Sequence, residues 1–549
     1  MAQQVPWEQR LFDYVNRNVN PTQNLINFAT PLELPFNPSQ QGAVNSIFYP
    51  VNDVPQRTSD RRPHPRIDNI PHEQLNTFRP PANYHISQLV VPSTLIIGPP
   101  GTGKTRVICS GSILRMFNPV NLIRTHPRRV LIGTFSNAGS YRIYEQFHNI
   151  ANMANAPEYF QRIKLVQADT AREKHAFHNL QHTLNLNPDD YTINNRCDDR
   201  ILLNESLIFV GTTDSLAILS TANPHPSVHG VIYDEASQLT VPHFFQLFDP
   251  GQAIRSICVV GDDAQLPPVA TLAPLGVSAL SYLQGLNAYQ NTPIPQNRII
   301  ELERQYRMHP AIAQLTQRIV RAPRNVIPDG PTIQPNYLLD PQNYNLTNLT
   351  NPLTLDQTTI DFLDNILRPE HPLVIIDTSE IPQATDERIG ISRMNQVEAE
   401  LVVGVYNALR RSYPYLENED IILTAPYRRQ VDIFRENIVR SGTVHQYQGQ
   451  EALIVLYSLT YARPNTKSDF FTQHELMYVG LSRAQRKLMI FGNQDAMNHP
   501  DPAIQLVRDT IFNFQYVSGG QGYPLYNINP VSHQRIDVQF LNDIRNNLL

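Results

Sequence analysis

The chain has 549 residues, of which 41% are hydrophobic and only 17% charged, against a typical charged share of about 25%; this is too long for one ordinary domain and suits several that each bury a core. With 44 Lys and Arg against 49 Asp and Glu the formal net charge is −5. That argues against a strongly basic whole-protein field, so a nucleic-acid partner is expected in a local groove. The three cysteines, Cys109, Cys197 and Cys258, share no CxxC spacing, which argues against a disulfide framework, a Cys-rich zinc module or an iron–sulfur cluster and fits a reducing compartment.

In chain order, residues 1–36 read as a lead-in segment with a possible helix. Their start is polar and lacks an apolar signal core. No apolar run reaches the roughly 18 residues of a membrane span. An intracellular protein, cytoplasmic or nuclear, is the expectation. The pattern Asn37-Pro-Ser-Gln40 looks like a helix start, and residues 50–92, rich in Pro, Arg, Asn and His, read as a loop insertion. Short apolar runs follow at Ser93–Ile97, Arg129–Gly133, Leu207–Gly211, Gly230–Tyr233 and Ile257–Val260, with helix-like stretches between them. That alternation predicts a parallel sheet flanked by helices. Residues 151–206 read as a small helical accessory insertion. A second series, Leu373–Asp377, Ile421–Thr424, Ala452–Ser458 and Lys487–Phe491, predicts a second α/β domain. The expected domains are therefore 37–296 and 297–515, the latter with an insertion at about 328–358, followed by a tail at 516–549. The Arg/His-containing stretches 61–66 and 124–129 read as solvated loops, with nucleic-acid contact as the alternative.

Gly98-Pro99-Pro100-Gly101-Thr102-Gly103-Lys104-Thr105 follows the first apolar run and precedes a plausible helix. This is the GxxxxGK[ST] pattern in its required context. The glycines let the backbone wrap phosphates, whose charge meets amide groups at a helix N-terminus. Lys104 is expected on the β- and γ-phosphates of ATP and Thr105 on Mg²⁺. Downstream, the run Gly230–Tyr233 ends in Asp234 and Glu235. Asp234 is expected to hold Mg²⁺, and Glu235 to orient or deprotonate the attacking water.

The match is wider than a P-loop. The chain resembles superfamily 1 helicases, in the group that includes the nonsense-mediated-decay RNA helicase and related DNA helicases. That resemblance runs in order from about Asn37 to Asn493. It implies two tandem RecA-like P-loop domains and the following roles. Asn37-Pro-Ser-Gln40 resembles the Q motif, with Gln40 on adenine. Phe135-Ser136-Asn137 and Gly211-Thr212-Thr213 resemble loops that touch the nucleic-acid backbone. Gly261-Asp262-Asp263-Ala264-Gln265-Leu266-Pro267-Pro268 resembles motif III, with Gln265 sensing the γ-phosphate. In Arg304-Gln305-Tyr306-Arg307-Met308-His309-Pro310 the tyrosine packs on adenine and Arg307 reaches the γ-phosphate. Asn395 and Glu398 resemble a segment found before motif IV, and Thr424-Ala-Pro426-Tyr427 resembles motif IV itself, a nucleic-acid contact. Val444-His445-Gln446-Tyr447-Gln448-Gly449-Gln450-Glu451 resembles motif V, with Gln448 and Gly449 near the strand and Glu451 near the ribose. Tyr478-Val-Gly-Leu-Ser482-Arg483-Ala484 resembles motif VI, with Arg483 as a second arginine finger.

The chain departs from the family's usual spelling at His445, where Asp is common, and at Gly480 and Ser482, where Ala and Thr are. The family's N-terminal zinc module and the β-barrel ahead of the Q motif have no evident counterpart. The implied partner is single-stranded RNA or DNA, with no membrane, and the implied machine is a monomeric 5′→3′ motor. Arginine fingers stabilise the phosphoryl-transfer transition state, an effect on the order of 10³–10⁵ in rate. ATP is expected to favour the state in which they engage, which shifts the domain equilibrium. Grip on a strand is expected through phosphate contacts and base stacking, which needs no large net positive charge. Two other readings are a nucleic-acid-stimulated ATPase that remodels ribonucleoprotein without processive unwinding, and a non-catalytic module descended from a helicase. The intact Lys104, Asp234, Glu235, Gln265, Arg307 and Arg483 weigh against the last.

Overall fold

Near-continuous apolar runs fold as strands covered on both faces, as a parallel sheet flanked by helices requires. In the computed structural model the described residues are 6–19, 36–47, 93–122, 128–172, 175–221, 228–247, 254, 256–269, 276–289, 299–320, 327–328, 339–350, 355–436, 438, 440–447, 449–462, 470, 473–517 and 529–549. The chain divides into two units, Met1–Glu303 and Arg304–Leu549. The expected insertion at 50–92 lies outside the described residues, as do 61–66, 124–127 and Gln448. Among the described residues no helix is long and apolar enough to cross a membrane.

The first unit holds β1 (Ser93–Ile97), β2 (Val130–Thr134), β3 (Ile163–Gln167), β4 (Thr192–Asn194), β5 (Ile208–Thr212), β6 (Gly230–Tyr233), β7 (Ser256–Gly261) and β8 (Ile299–Glu301). They form one eight-stranded sheet in the order β4-β3-β5-β2-β6-β7-β1-β8, and every pairing is parallel. Inside each run the two-residue period persists. Ile96, Val130, Ile132, Ile208, Val210, Ile232, Cys258 and Val260 enter one core. Leu95, Leu131, Phe209, Val231, Tyr233, Ile257 and Val259 enter the other. Helices α1 (Trp7–Val19), α2 (Pro38–Ser46), α3 (Lys104–Met116) and α4 (Asn137–Met153) cover the first of these cores.

Residues 151–206, expected to be helical, also carry β3 and β4, which extend the sheet at one edge. The run Ile163-Lys-Leu-Val-Gln167 hides its strand character behind a lysine. Lys164 is buried, and its ammonium donates to the Asp190 carbonyl at 2.6 Å. Arg129 is also no solvated residue. It is buried, and its guanidinium donates to the carbonyls of Ser206 at 3.0 Å and Asn204 at 2.6 Å.

The second unit begins with the short parallel pair β9 (Arg304–Gln305) and β10 (Ile327–Pro328). Its main strands are β11 (Leu373–Asp377), β14 (Ile421–Ala425), β15 (Ser441–Thr443), β16 (Ala452–Ser458), β17 (Ala484–Gly492) and β18 (Val531–Arg535), and β12 (Glu387–Ile389) and β13 (Ser392–Met394) form an antiparallel hairpin. The main sheet runs β15-β14-β16-β17-β11-β18, all parallel. Helices α5 (Pro310–Ile319), α6 (Gln396–Ser412), α7 (Arg428–Arg435), α8 (His474–Leu481) and α9 (Val538–Asn547) belong to this unit. The stretch expected as a tail thus supplies an edge strand and a helix. Ile536, Phe540, Leu541, Ile544 and Leu548 enter the second core. At Gly404 of α6 an added Cβ would stand 2.2 Å from Ile544 Cγ2, so α9 seats on a glycine. The two units are α/β domains of the RecA-like kind.

Candidate active site

In an open parallel sheet, helix N-termini and strand-end loops gather at the carboxyl edge, where anions and ligands bind. In the first unit the loops after β1, β2, β5, β6 and β7 carry the sequence-predicted residues, and all open at that edge. The loop at 98–105 is tied to β7 by the Gly98 amide, which donates to the Gly261 carbonyl at 2.9 Å. Within it the Thr102 hydroxyl donates to the Pro99 carbonyl at 2.8 Å, and Thr102 is fully buried. Gly101 and Gly103 adopt positive φ of 76° and 84°, a region that costs a side chain energy and suits glycine. Lys104 folds back over the loop, donating to the carbonyls of Gly98 at 2.5 Å and Pro99 at 3.3 Å. Lys104 and Thr105 open α3, so their backbone belongs to the positive end of a helix.

Gln40 lies behind this loop. It is buried, its amide nitrogen donates to the Thr102 carbonyl at 2.9 Å, and its amide oxygen accepts from the Asn37 amide at 3.2 Å. One end of the side chain therefore braces the loop while the other closes the capping box at the N-terminus of α2. A Cβ added at Gly103 would come within 2.7 Å of the Gln40 amide nitrogen.

Asp234 and Glu235 stand at the end of β6. Asp234 is buried, and one carboxylate oxygen accepts from the Glu235 amide at 2.9 Å. Burial first and Glu235 second push its pKa up to about 6, against the lowering pull of Lys104. A buried carboxylate within electrostatic reach of Lys104 is an oxygen donor of the kind a hard divalent cation takes, and the Thr105 hydroxyl at the start of α3 is chemically suited to be a second. Glu235 has φ of 54°, unusual for a side chain of its size. Its Oε1 accepts from Arg142 Nη2 at 2.6 Å and its Oε2 from the Ser136 hydroxyl at 3.4 Å. Ser136 also caps α4, accepting from the Gly139 amide at 3.1 Å. Sequence reasoning missed Arg142, because nothing in the spelling of α4 announces a pairing 93 positions away.

After β7 the turn at 262–265 is closed by Asp262, which is buried and accepts from the Ala264 amide at 3.1 Å and from the Gln265 amide nitrogen at 3.2 Å. After β5, the Thr212 hydroxyl accepts from the Ser215 amide at 3.2 Å, and Thr213 is buried against the spot where a Cβ on Gly133 would fall. Asn137 follows Ser136 as the first residue of α4, and Phe135 before them is half exposed.

The second unit sorts its predicted residues to two ends of its sheet. Pro426 and Tyr427 follow β14 at the carboxyl edge. Nearby, Glu398 on α6 is fully buried. It accepts from the Ser458 hydroxyl at 2.5 Å and the Thr460 amide at 2.8 Å, while its Oε2 has no hydrogen-bond partner. Burial pushes its pKa up to about 7, against lowering by those two donors. Asn395 caps α6 and takes its place among the same buried groups, its amide donating to Gln430 at 2.7 Å.

At the amino edge, Glu451 precedes β16 and Arg483 precedes β17. Arg307 ion-pairs with Glu451 through Nε and donates to the Ser482 carbonyl at 3.2 Å. Gln305 shapes the turn that presents it, accepting from the amides of Arg307 at 3.0 Å and Met308 at 2.7 Å. Tyr306, half-buried, lies in that turn. Arg483 is buried and donates to the carbonyls of Val479 at 2.7 Å and Gln450 at 3.0 Å. These carbonyls include the last turn of α8, the negative end of that helix. Gly449, with φ of 83°, stands two residues before Glu451, closer in sequence to this group than to Pro426 and Tyr427.

The first unit's loops thus gather Lys104, Thr105, Asp234, Glu235 and Gln265 at the carboxyl edge of one RecA-like domain, followed by a second domain of the same architecture. Family comparison agrees: models described as "AAA domain" match residues 85–271 and 278–495. The chain is 25% identical over 435 residues to the mouse protein named DNA replication ATP-dependent helicase/nuclease DNA2, a match that covers 74% of this chain and 36% of that protein. It is 25% identical over 304 residues to the Arabidopsis thaliana protein named probable helicase MAGATAMA 3, covering 53% of this chain and 33% of that one. The chain therefore spans about a third of the length of these relatives. The solved arterivirus nonstructural protein 10 (helicase) is similar at a TM-score of 0.35 and 12% identity, over 75% of this chain and 61% of that one, a likeness too distant to add to the assignment. The chain belongs to the superfamily 1 helicases and is by class an ATP-hydrolysing enzyme.

Proposed function

We propose that the chain is an ATP-driven helicase or translocase that acts on single-stranded nucleic acid in the 5′→3′ sense. The observation that carries this reading is the connected set at one sheet edge: Lys104 over its loop, buried Asp234 under the electrostatic influence of Lys104, Glu235 beside it, and Gln265 on the neighbouring turn. The name of the mouse relative, a DNA replication helicase, supports DNA as a substrate to test for this chain.

In the proposed cycle Lys104 binds the β- and γ-phosphates with the amides of 98–103. Thr105 and Asp234 would hold Mg²⁺, which would supply charge neutralisation for the phosphates. Glu235 accepts a proton from the attacking water, Gln265 senses the γ-phosphate, and Arg307 and Arg483 stabilise the transition-state charge. Gln40, Tyr306 and Glu451 serve the nucleoside. Ser136, Asn137, Thr212, Thr213, Pro426, Tyr427, Gln448 and Gly449 serve the strand. Thr213, with its side chain buried, would do so through its backbone.

The test is ATP turnover by the full chain with Mg²⁺, alone and with matched single-stranded RNA and DNA, beside unwinding of duplexes tailed at either end. Turnover stimulated by a strand and unwinding of 5′-tailed duplex are expected, both lost in Lys104→Ala. Absence of turnover in the unmodified chain with either strand present would falsify the proposal.

A further inference from the structure

Glu235, read above as the group that takes a proton from water, is held by the helix that follows β2. Its Oε1 receives Arg142 Nη2 at 2.6 Å, and its Oε2 receives the Ser136 hydroxyl at 3.4 Å. A Cβ added at Gly139 would lie 3.1 Å from the same Oε2, so this oxygen faces the backbone of the first turn of α4. The Glu235 side chain is only 12% exposed. Its backbone is in the left-handed region, which aims the side chain in a direction an extended residue would not take. A base must come within hydrogen-bond reach of the water it activates. Here the carboxylate is instead turned to α4 on both oxygens.

The partners have a position of their own. Ser136 is the N-cap of α4 and sits between half-exposed Phe135 and Asn137 at the carboxyl edge of the sheet. Arg142 is one and a half turns further along the same helix, and its Nε reaches back to the Ala138 carbonyl at 3.4 Å. A shift of this cap therefore moves both groups that hold Glu235.

We propose that Arg142 is a positioning residue that restrains Glu235 in a resting orientation, and that a single strand engaging the 135–137 loop loosens this hold and thereby stimulates ATP hydrolysis. This rests on the proposed function, and supplies its missing link between the strand-contacting loop and the catalytic base. No bond is made or broken in the switch. The ion pair opens, and the carboxylate exchanges a guanidinium for water.

The test measures ATP turnover of the full chain with and without a single-stranded oligonucleotide, for the unmodified protein, Arg142→Gln, Arg142→Lys and Lys104→Ala. Arg142→Gln should raise strand-free turnover about fivefold, equivalent to about 1 kcal/mol, leave the KM for ATP unchanged and reduce the stimulation ratio by the same factor. Arg142→Lys, which keeps the charge, should fall between. Thermal unfolding of each variant checks that the fold is kept. If Arg142→Gln leaves the ratio unchanged, or lowers turnover equally with and without the strand, the restraint is wrong while the ATPase reading survives. If Arg142→Gln does not fold, the same outcomes are read from Arg142→Lys. If the unmodified chain hydrolyses no faster than Lys104→Ala, both readings fall.

Discussion

The two units build parallel sheets of the same kind yet use opposite ends of them for charge. In the first, the carboxyl edge offers glycine turns, amide groups and the start of α3, surroundings suited to an anion. In the second, the amino edge offers the final carbonyls of α8 and the carbonyls before β16, and there Arg307 and Arg483 collect. Helix polarity explains the difference, since N–H groups lead and carbonyls trail. The buried carboxylates differ in the same instructive way. Burial and then Glu235 raise Asp234 to about 6 with Lys104 opposing, whereas burial raises Glu398 to about 7 with a hydroxyl and backbone amides opposing. The opposing group is a cation at Asp234 and a set of neutral donors at Glu398.

Removing charge from either end should separate the roles. Arg307→Ala should lower turnover on the order of 10³-fold with little change in nucleotide affinity, measured by equilibrium binding of a fluorescent ATP analogue. A loss of affinity equal to the loss of rate would assign Arg307 to ground-state binding. Lys104→Ala should lower turnover about 10²–10³-fold, the scale of one preorganised phosphate-facing donor, and weaken nucleotide binding as well. Gly103→Ala should weaken nucleotide binding about tenfold, because φ of 84° and the approach to Gln40 together cost about 1–3 kcal/mol.

The smallest effect concerns Glu398. Its folded pKa of about 7 lies above the ordinary 4.5, so the fold favours the protonated acid. This group's contribution is most favourable below about 4.5 and is lost as pH rises through about 7. Glu398→Gln should therefore raise Tm by about 2–6 °C at pH 8 and by much less at pH 5. An equal shift at both pH values would show that packing, not charge, governs this position.

Most of the sheet framework was legible in the residues. Gly230–Tyr233, Leu373–Asp377 and Ala452–Ser458 appear as strands with the expected bounds, because their apolar runs are covered on both faces. Among the strands that escaped notice, most are only two or three residues long, and two longer ones have mixed spelling. β3 contains a buried lysine whose partner is a main-chain carbonyl, and β18, Val-Ser-His-Gln-Arg, is an edge strand with polar faces. The phosphate loop and the acidic pair were legible because glycine conformation and phosphate chemistry restrict which residues can stand there. The grip of Arg142 on Glu235 was not, since an arginine on an amphipathic helix ordinarily faces water. Nor did the sequence reveal that Gln40 spends both ends of its amide on the protein itself.

The place of β18 and α9 has a consequence for how the protein is made. Val531–Arg535 lies against β11, and Ile544 fills the notch at Gly404, yet both belong to the stretch that leaves the ribosome after every other strand of that sheet. Until it emerges, one flank of β11 has no neighbour and the helix Gln396–Ser412 keeps an uncovered apolar groove. The nascent second domain therefore has to wait, with its hydrophobic surface open to chaperones or to other unfinished chains.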